Sequence, residues 1–522
     1  MPVTVSYPGV YIEEQPSLGH TITPAPTSIA VFVGYTHPFK TSNFATAVEL
    51  FSFQDYERQF GGFFFNDKLA DSVAPAVYQF FLNGGSHAYV VGLKAWYQDP
   101  GPPSARQPIV PAVLVQGKIR FTARELTDAA HPMTITIDVD PANNKIADLT
   151  IEYGHIVETY RNVTTDQADT TNYIENRIGT QQNPISSLVM VAKNPPSAAN
   201  YGTFTAITRA PLVYATLPQP TWTTFAAADF ANVFKQDNSL DKVEIFNLMV
   251  LPGVADRGIW SQALAFCERK RAFLILDPPP EAAADNTDPR FPKTIQDVMN
   301  TSVPKSTNGA IYFPYLKSIH PLTGADIELA PSGAVAGVYG REDTLRGVWK
   351  APAGLETTIP SSAGVVDRGR MNDSRQGVLN TIGVNCLRDF RGIGTVVFGA
   401  RTLVTENPAF EQWRYVPVRR MALFIEQTLY NNLGWVVFEP NDEPLWAAIR
   451  TSINDFMLSL FGQGAFQGAT PREAFRVVCD STTTTQTDIN RGIVNILVAF
   501  APLKPAEFVV VKIAQLAGQT QT

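Results

Sequence analysis

The chain has 522 residues, 45% hydrophobic and only 17% charged, with a formal net charge of −7. That length exceeds one ordinary core and predicts three or so domains. The acidic balance argues against a general nucleic-acid binder, which needs a basic footprint, and no uninterrupted apolar run approaches the ~18 residues of a membrane span. Charged residues fall well under the roughly 25% of an average soluble domain, as expected where part of the surface is covered in a large assembly. Cys267, Cys386 and Cys479 are odd in number, far apart and without a C-x-x-C, so no disulfide framework is expected and folding is assigned to a reducing cytoplasm.

The first segment, "MPVTVSYPGVYIEEQPS", lacks the basic, apolar and small-residue regions of a secretory signal. Val3, Val5 and Tyr7, then Val10, Tyr11 and Ile12, form strand-like text broken by Pro8-Gly9 and stopped by Pro16. Such an extended end frays unless something holds it. "TSIAVFVGYTHPF" then reads as a buried strand ended by Gly34. "SFQDYERQFGG" reads as a helix closed by Gly61-Gly62, and "DSVAPAVYQFFLNGG" as a second helix before a strand at Ala88–Leu93.

Clustered prolines in "WYQDPGPPSARQP" mark a boundary. Beyond it, Met133, Ile135, Ile137 and Val139 alternate with Thr134, Thr136, Asp138 and Asp140, the pattern of a half-exposed strand. "VETYRNVT" and "SSLVMVAKNPP" add strands and "NYIENRI" a short helix, so this stretch is an inserted β-rich domain. From about 224 the α/β rhythm returns: "AADFANVFKQ" helix, "VEIFNLMVLPG" strand, "GIWSQALAFCERKR" helix and "AFLILDPPP" strand. This alternation predicts a mainly parallel sheet.

Two amphipathic helices follow. Val418, Met421, Ala422, Ile425 and Leu429 share one face, and Trp446, Ile449, Ile453, Phe456 and Leu460 another. Thr470-Pro471-Arg472-Glu473 carries the text of a capping box. "RGIVNILVAFAPL" is a strand, and Phe508–Ile513 another beyond Pro502 and Pro505.

Catalytic signatures are missing. There is no H-E-x-x-H, no Cys/His zinc spacing and no Walker loop; "GIGTVVFG" lacks dinucleotide-binding spacing and reads as a turn. Ser302-Val303-Pro304-Lys305 matches S-x-x-K, but a proline interrupts it and no partner motif follows. Asp277 ends a strand, where α/β enzymes place carboxylates, although a helix cap explains it as well. The six histidines are scattered and read as surface or satisfied core positions. "WRYVPVRR" mixes aromatics with cations as single-strand binders do, without a second basic segment; a protein contact through arginine is preferred. No catalytic residue, cofactor or metal is assigned.

Several long blocks resemble contractile tail sheath proteins of phages and related injection particles. They are "YPGVYIEEQPS", "APSGAVAGVYGREDTLRGVWKAPAG", "GVNCLRDFRGIGTVVFGARTL", "WRYVPVRRMALFIEQTLY", "WVVFEPNDEPLW" and "KPAEFVVVKI", in family order. The expected fold is α/β (α+β overall): a mainly parallel core with an inserted β-rich domain and extended N- and C-terminal arms. The expected division is an N-arm at 1–25, core at 26–95, inserted outer domain at 96–215, core again at 216–380, C-terminal sheath domain at 381–500 and C-arm at 501–522. The resemblance implies that both arms pair with neighbouring subunits by β-augmentation. Val3, Val5, Tyr7, Val10 and Ile12 would carry the N-arm, and Phe508, Val509, Val510, Val511 and Ile513 the C-arm, with hinges near Pro16–Pro26 and Ala499–Pro505. Arg450 and Arg472 are candidates for touching the inner tube.

The implied function is a non-enzymatic structural subunit that polymerises helically around an inner tube and contracts. The alternatives are a non-contractile baseplate or cap component, or an α/β hydrolase using Asp277 or Ser302. Implied partners are other sheath subunits, the inner tube, and baseplate and terminator or cap proteins, with no nucleic acid and no membrane insertion. Assembly is expected in the bacterial cytoplasm, into a phage tail or tail-like particle.

Overall fold

The structure is a computed structural model, and it describes residues 20–64, 71–98, 106–127, 131–214, 221–222, 227–279, 293–321, 324–366, 371–405 and 407–511. The chain forms two compact units: Ser28–Arg341 with Ala353–Glu406, and Met1–Thr27 with Glu342–Pro352 and Asn407–Thr522.

The larger unit is built on an eight-stranded sheet. Its strands are β1 (Ala30–Tyr35), β2 (Ala47–Leu50), β3 (Ala88–Leu93), β4 (Leu248–Val250), β5 (Phe273–Leu276), β6 (Gly309–Phe313), β7 (Val384–Phe390) and β8 (Gly394–Val397). Their order is β2-β3-β1-β4-β5-β6-β7-β8. The six inner strands run parallel, in registers such as Ala30↔Ala88, Ala30↔Leu248 and Ile311↔Val384. The two edge strands are antiparallel. Every residue of β1, β4, β5 and β6 is buried, as continuous apolar text requires when helices cover both faces. Because β7 and β8 complete this sheet, the C-terminal unit begins after residue 406 and not at the expected 381.

Glycine explains how the helix of "APSGAVAGVYG" packs here. Helices α1 (Phe53–Phe60) and α2 (Val73–Leu82) follow β2; α3 (Arg257–Lys270) follows β4, and α4 (Ser332–Arg346) precedes β7. A Cβ on Gly333 would lie 2.4 Å from the Ala76 carbonyl oxygen, and one on Gly337 2.5 Å from that of Phe80. Only glycine lets α4 rest directly on the backbone of α2. The start of α4 is fixed by Asp277, which accepts from Ser332 N (2.8 Å), Ser332 Oγ (2.6 Å) and Gly253 N (2.9 Å). Burial pushes its carboxyl up to about 6, against these three hydrogen bonds. The acceptor sites a hydrolase would use are thus engaged in capping. Ser302 and Lys305 lie in the loop between the helix Lys293–Thr301 and β6.

Within the inserted stretch, Trp96–Gln98 pairs with Arg106–Pro108, and with Thr221–Trp222 just beyond it, in a small antiparallel sheet, and residues 113–211 form two more. In one, Val113–Gln116, Ile119–Ala123 and Val189–Lys193 pair; in the other, Met133–Val139, Ile146–Tyr153, Ile156–Thr164 and Ile207–Pro211. Met133, Ile135 and Ile137 meet Ile119, Phe121, Leu149 and Ile151 in a separate apolar core. At the root of this domain sits a buried polar clasp. His37 Nδ1 accepts from the backbone N–H groups of Phe39 and Lys40, both at 3.2 Å, so its ring proton is on Nε2 and is donated to Glu125 Oε2 at 2.8 Å. Lys40 Nζ donates to the other Glu125 oxygen. Burial holds the His37 pKa below its ordinary 6.5, outweighing the pull of Glu125. Burial raises the Glu125 carboxyl, but His37 and Lys40 together outweigh it and bring the carboxyl below its usual range.

Two outcomes follow. Gly333→Ala would gain about 1 kcal/mol in an exposed helix, yet it should cost about 1–3 kcal/mol here through overpacking, read by chemical denaturation. Because the folded state resists protonating His37, the contribution of this residue is complete above the unfolded pKa and is lost as pH falls. Asp71 and Asp277, pushed up to about 7 and about 6 by burial, act in the opposite sense. The readout is therefore a difference: from about pH 5 to about pH 7, wild type should gain on His37→Gln by up to ~1.4 kcal/mol per unit.

Candidate inter-subunit interface

The smaller unit is organised by two helices, α5 (Val416–Asn432) and α6 (Glu443–Gly462). Asp442 caps α6 by accepting from Leu445 N, with Pro444 in its first turn. The two expected apolar faces meet: Met421, Phe424 and Ile425 pack with Trp446, Ile449, Ile453 and Phe456 in one core.

Residues 20–27 lie extended along these helices, held through their backbone by side chains. His20 N donates to Ser452 Oγ (2.9 Å), Thr23 N to Asn432 Oδ1 (3.0 Å) and Ala25 N to Thr428 Oγ1 (3.1 Å), while Asn432 Nδ2 donates to Thr23 O (2.9 Å). The His20 ring stacks on Trp435 at 4.0 Å, and Ile22 and Ala25 are buried. Beneath this root, Arg420 makes a bidentate pair with Asp343 at 2.8 and 2.6 Å, their side chains 3% and 2% exposed, and also donates to Thr27 O at 3.0 Å. Of the expected hinge at Pro16–Pro26, residues 20–26 are held in this way, and 16–19 lie outside the described residues.

The unit ends in a two-stranded antiparallel ribbon, β9 (Phe475–Val478) and β10 (Leu497–Phe500), in register Phe475↔Phe500 to Val478↔Leu497. Phe475, Val477, Val498 and Phe500 pack toward the α5/α6 core; Arg476, Leu497 and Ala499 face outward. Among the described residues neither strand has a neighbour on its outer edge. The chain then leaves the ribbon: Ala501 exchanges backbone bonds with Ala474 and Gln467, and Glu507 accepts from Tyr415 Oη at 3.2 Å. Past that point Phe508, Val509, Val510 and Val511 are 73%, 83%, 79% and 76% exposed, and they are not in a strand within the single chain.

The remaining expected interface residues fall out as follows. Val3, Val5, Tyr7, Val10, Ile12 and Ile513 lie outside the described residues. Arg450 is turned to internal use: it donates to the Cys479 carbonyl and pairs with Glu443 at 2.6 Å, stapling α6 to the end of β9. Arg472 is exposed on the turn Pro471–Ala474. The capping box there does not close, since Glu473 accepts from Ala469 N and Thr470 makes no side-chain cap. In "WRYVPVRR", Arg420 is the buried partner of Asp343, and Arg419 stacks over Trp413 at 5.1 Å while pairing with Glu426 at 3.3 Å. Those cations are therefore structural. The pairing of Arg420 with Asp343, 77 residues apart, was not readable from sequence spacing.

This unit matches known proteins directly. Residues 409–515 match the family described as the phage tail sheath C-terminal domain. A curated tail sheath protein of Vibrio phage KVP40 is 27% identical over 178 residues, 34% of this chain and 24% of that one. Its C-terminal part is thus similar to that of tail sheath proteins. The match to this curated sheath protein spans about a quarter of its length. Two solved structures share the fold across 98% of this chain and 99% of their own. One is a chain of the anti-feeding prophage (AFP) baseplate, at 23% identity and a TM-score of 0.58. The other belongs to the sheath complex of an extracellular contractile injection system, PVC, in the contracted state, at 22% and 0.57.

Removing one member of the buried pair strands the other charge, so Arg420→Met should cost about 3–5 kcal/mol, whereas Arg420→Met with Asp343→Leu should recover most of it. Urea denaturation of the three proteins compares them.

Proposed function

We propose that the chain is a structural subunit of a contractile sheath: copies polymerise into a helical tube around an inner tube, and the lattice shortens to drive that tube through a target envelope. One observation carries this reading. A single unit combines a β-ribbon lacking neighbours on both edges with an apolar, β-forming C-terminal segment left in solvent. Each is what the other lacks, and neither is satisfied at home. β-Augmentation joins them between copies: main-chain hydrogen bonds give affinity, and alternate side chains give register. The N-arm, with Val3, Val5, Tyr7, Val10 and Ile12, takes the second such role. A head-to-tail contact that does not close on itself yields a helical tube.

Contraction then needs two packings of the same subunits that differ in free energy. A difference of about 2–3 kcal/mol per subunit biases each by roughly 30- to 160-fold, and coupled subunits switch together. The partners in this reading are further copies, the inner tube, and baseplate and terminator or cap proteins. Arg472 is the exposed cation of the pair first considered for the tube. Assembly takes place in the bacterial cytoplasm. The likeness to an AFP baseplate chain favours a baseplate component as the second reading, which predicts rings or caps in place of long tubes.

Purified chain, mixed with its inner-tube protein, is examined by electron microscopy and sedimentation. Full-length protein should form tubes; a variant lacking residues 1–16 should stay folded, monomeric and unable to form them. Tubes from the truncated chain would falsify the role given to the N-arm.

A further inference from the structure

The loop between α5 and α6 has a feature that the fold does not use. Its tip, Val437–Phe438, points away from the protein: Phe438 is fully exposed (102%) and Val437 is also exposed. Phe438 holds φ at +73°, a left-handed conformation unfavourable for a bulky side chain. The loop is nevertheless rigidly based. Val437 N bonds to Gly434 O and Glu439 N to Val436 O. Asn441 Oδ1 accepts from Trp446 Nε1 at 2.9 Å, while its Nδ2 donates to Ile493 O at 3.0 Å. A strained, preorganised, solvent-exposed aromatic has the make-up of an interface anchor, since preorganisation lowers the cost of ordering at binding.

We propose that the Val437–Phe438 tip is the anchor site for the C-terminal arm of a second copy of this chain, in the segment Phe508–Val511. The proposal rests on the sheath reading and adds a contact to it. Neither apolar segment covers the other within one chain, because both are exposed. Tyr415 holds Glu507 beside the start of α5. The tip follows the other end of that helix, whose 17 residues span about 25 Å. Fully extended, Phe508–Val511 covers only ~14 Å. Charge selects the arm. Glu439 and Asp442 flank the tip; in the C-arm Lys512 directly follows the apolar run and Glu507 before it is held by Tyr415, whereas the N-arm carries Glu13 and Glu14. The Asn441–Ile493 bond also joins the tip to the segment entering β10, where Ile493 and Leu497 are exposed. An arm added along the β10 edge therefore runs past Phe438, and it leaves at one end of α5 to dock at the other end of the next copy's α5.

The test uses the full chain with its inner-tube protein and the paired variant Phe438→Cys/Val510→Cys. The native Cys267, Cys386 and Cys479 are buried. Mild oxidation of assembled tubes should give a ladder of covalent oligomers on a non-reducing gel, absent at dilutions where no tubes form. Phe438→Ser should melt like wild type but need about 30-fold more protein to assemble. Normal tubes without the ladder, and with Phe438→Ser assembling at the wild-type concentration, overturn the anchor and leave the sheath reading intact. A ladder formed by Phe438→Cys with Val5→Cys instead gives the site to the N-arm and also overturns the proposal. If unmodified protein forms no tubes, the sheath reading falls and the anchor with it.

Discussion

Each strand of a β-sheet presents backbone N–H and C=O groups on two sides, and among the described residues the ribbon Phe475–Val478/Leu497–Phe500 has strand partners on one side only. A two-stranded ribbon is marginal by itself. This one is kept in shape because Phe475, Val477, Val498 and Phe500 are anchored on the α5/α6 core. The large sheet treats its edges differently. At its β8 edge Ile359 N donates to Thr395 O at 2.8 Å and Val397 N to Thr357 O at 3.1 Å, which limits what could add there. The ribbon has no such protection beyond Arg476, and it shows Leu497 to solvent. A monomer built this way carries an open template next to its own apolar tail, and the economical way to satisfy both is a neighbour.

Adding a strand from another molecule is useful only if the template is stiff, because any disorder in the acceptor is charged against binding. The smaller unit supplies that stiffness with polar groups placed where water cannot compete. Arg420 holds Asp343 and the Thr27 carbonyl at once. Asn432, Thr428 and Ser452 read the backbone of residues 20–27 as a sheet edge would. Arg450 ties α6 to the end of β9. In the larger unit the same end is reached by glycine contacts between α2 and α4 and by the His37–Glu125–Lys40 clasp. Buried charges of this kind contribute little net stability, yet they are costly to break singly, so each favours one geometry over its neighbours.

Hydrophobic period carried most of the fold. The buried strands, the alternation at Met133–Val139 and the faces of α5 and α6 could be read because burial writes a repeat into the sequence. What lacked a local repeat was not legible. That β7 and β8 belong to the large sheet depends on long-range pairing, such as Ile311↔Val384. The Arg420–Asp343 pair left no spacing signal, and Arg450, chosen for its charge and helical setting, is engaged internally. The glycines of "SGAVAGVYG" were visible but their purpose was not, since it lies in the backbone of a helix some 250 residues earlier. At the C-terminal end the text of a strand at Phe508–Val511 was legible, yet these residues form no strand within the chain; an apolar repeat records what a segment can pair as and not with what.

The positions of the fixed points bear on how such a polymer could shorten without coming apart. Among the described residues, the outermost position held by a side chain is His20 on the N-terminal side and Glu507, held by Tyr415, on the C-terminal side. The stretch from Val3 to Gly19 has a contour length of at most about 60 Å, and that from Phe508 to Ile513 about 20 Å. A connection made through the longer segment can keep its strand pairing while the bodies it joins shift by tens of ångströms. One made through the shorter segment holds its two bodies to a narrow range. If both segments join copies as proposed, the short C-terminal link would fix which copies stay in contact, and the long N-terminal link would absorb the displacement between them. Any rearrangement of the assembled chain would then be limited by the C-arm contact, which places the greater demand for a well-shaped anchor at that end.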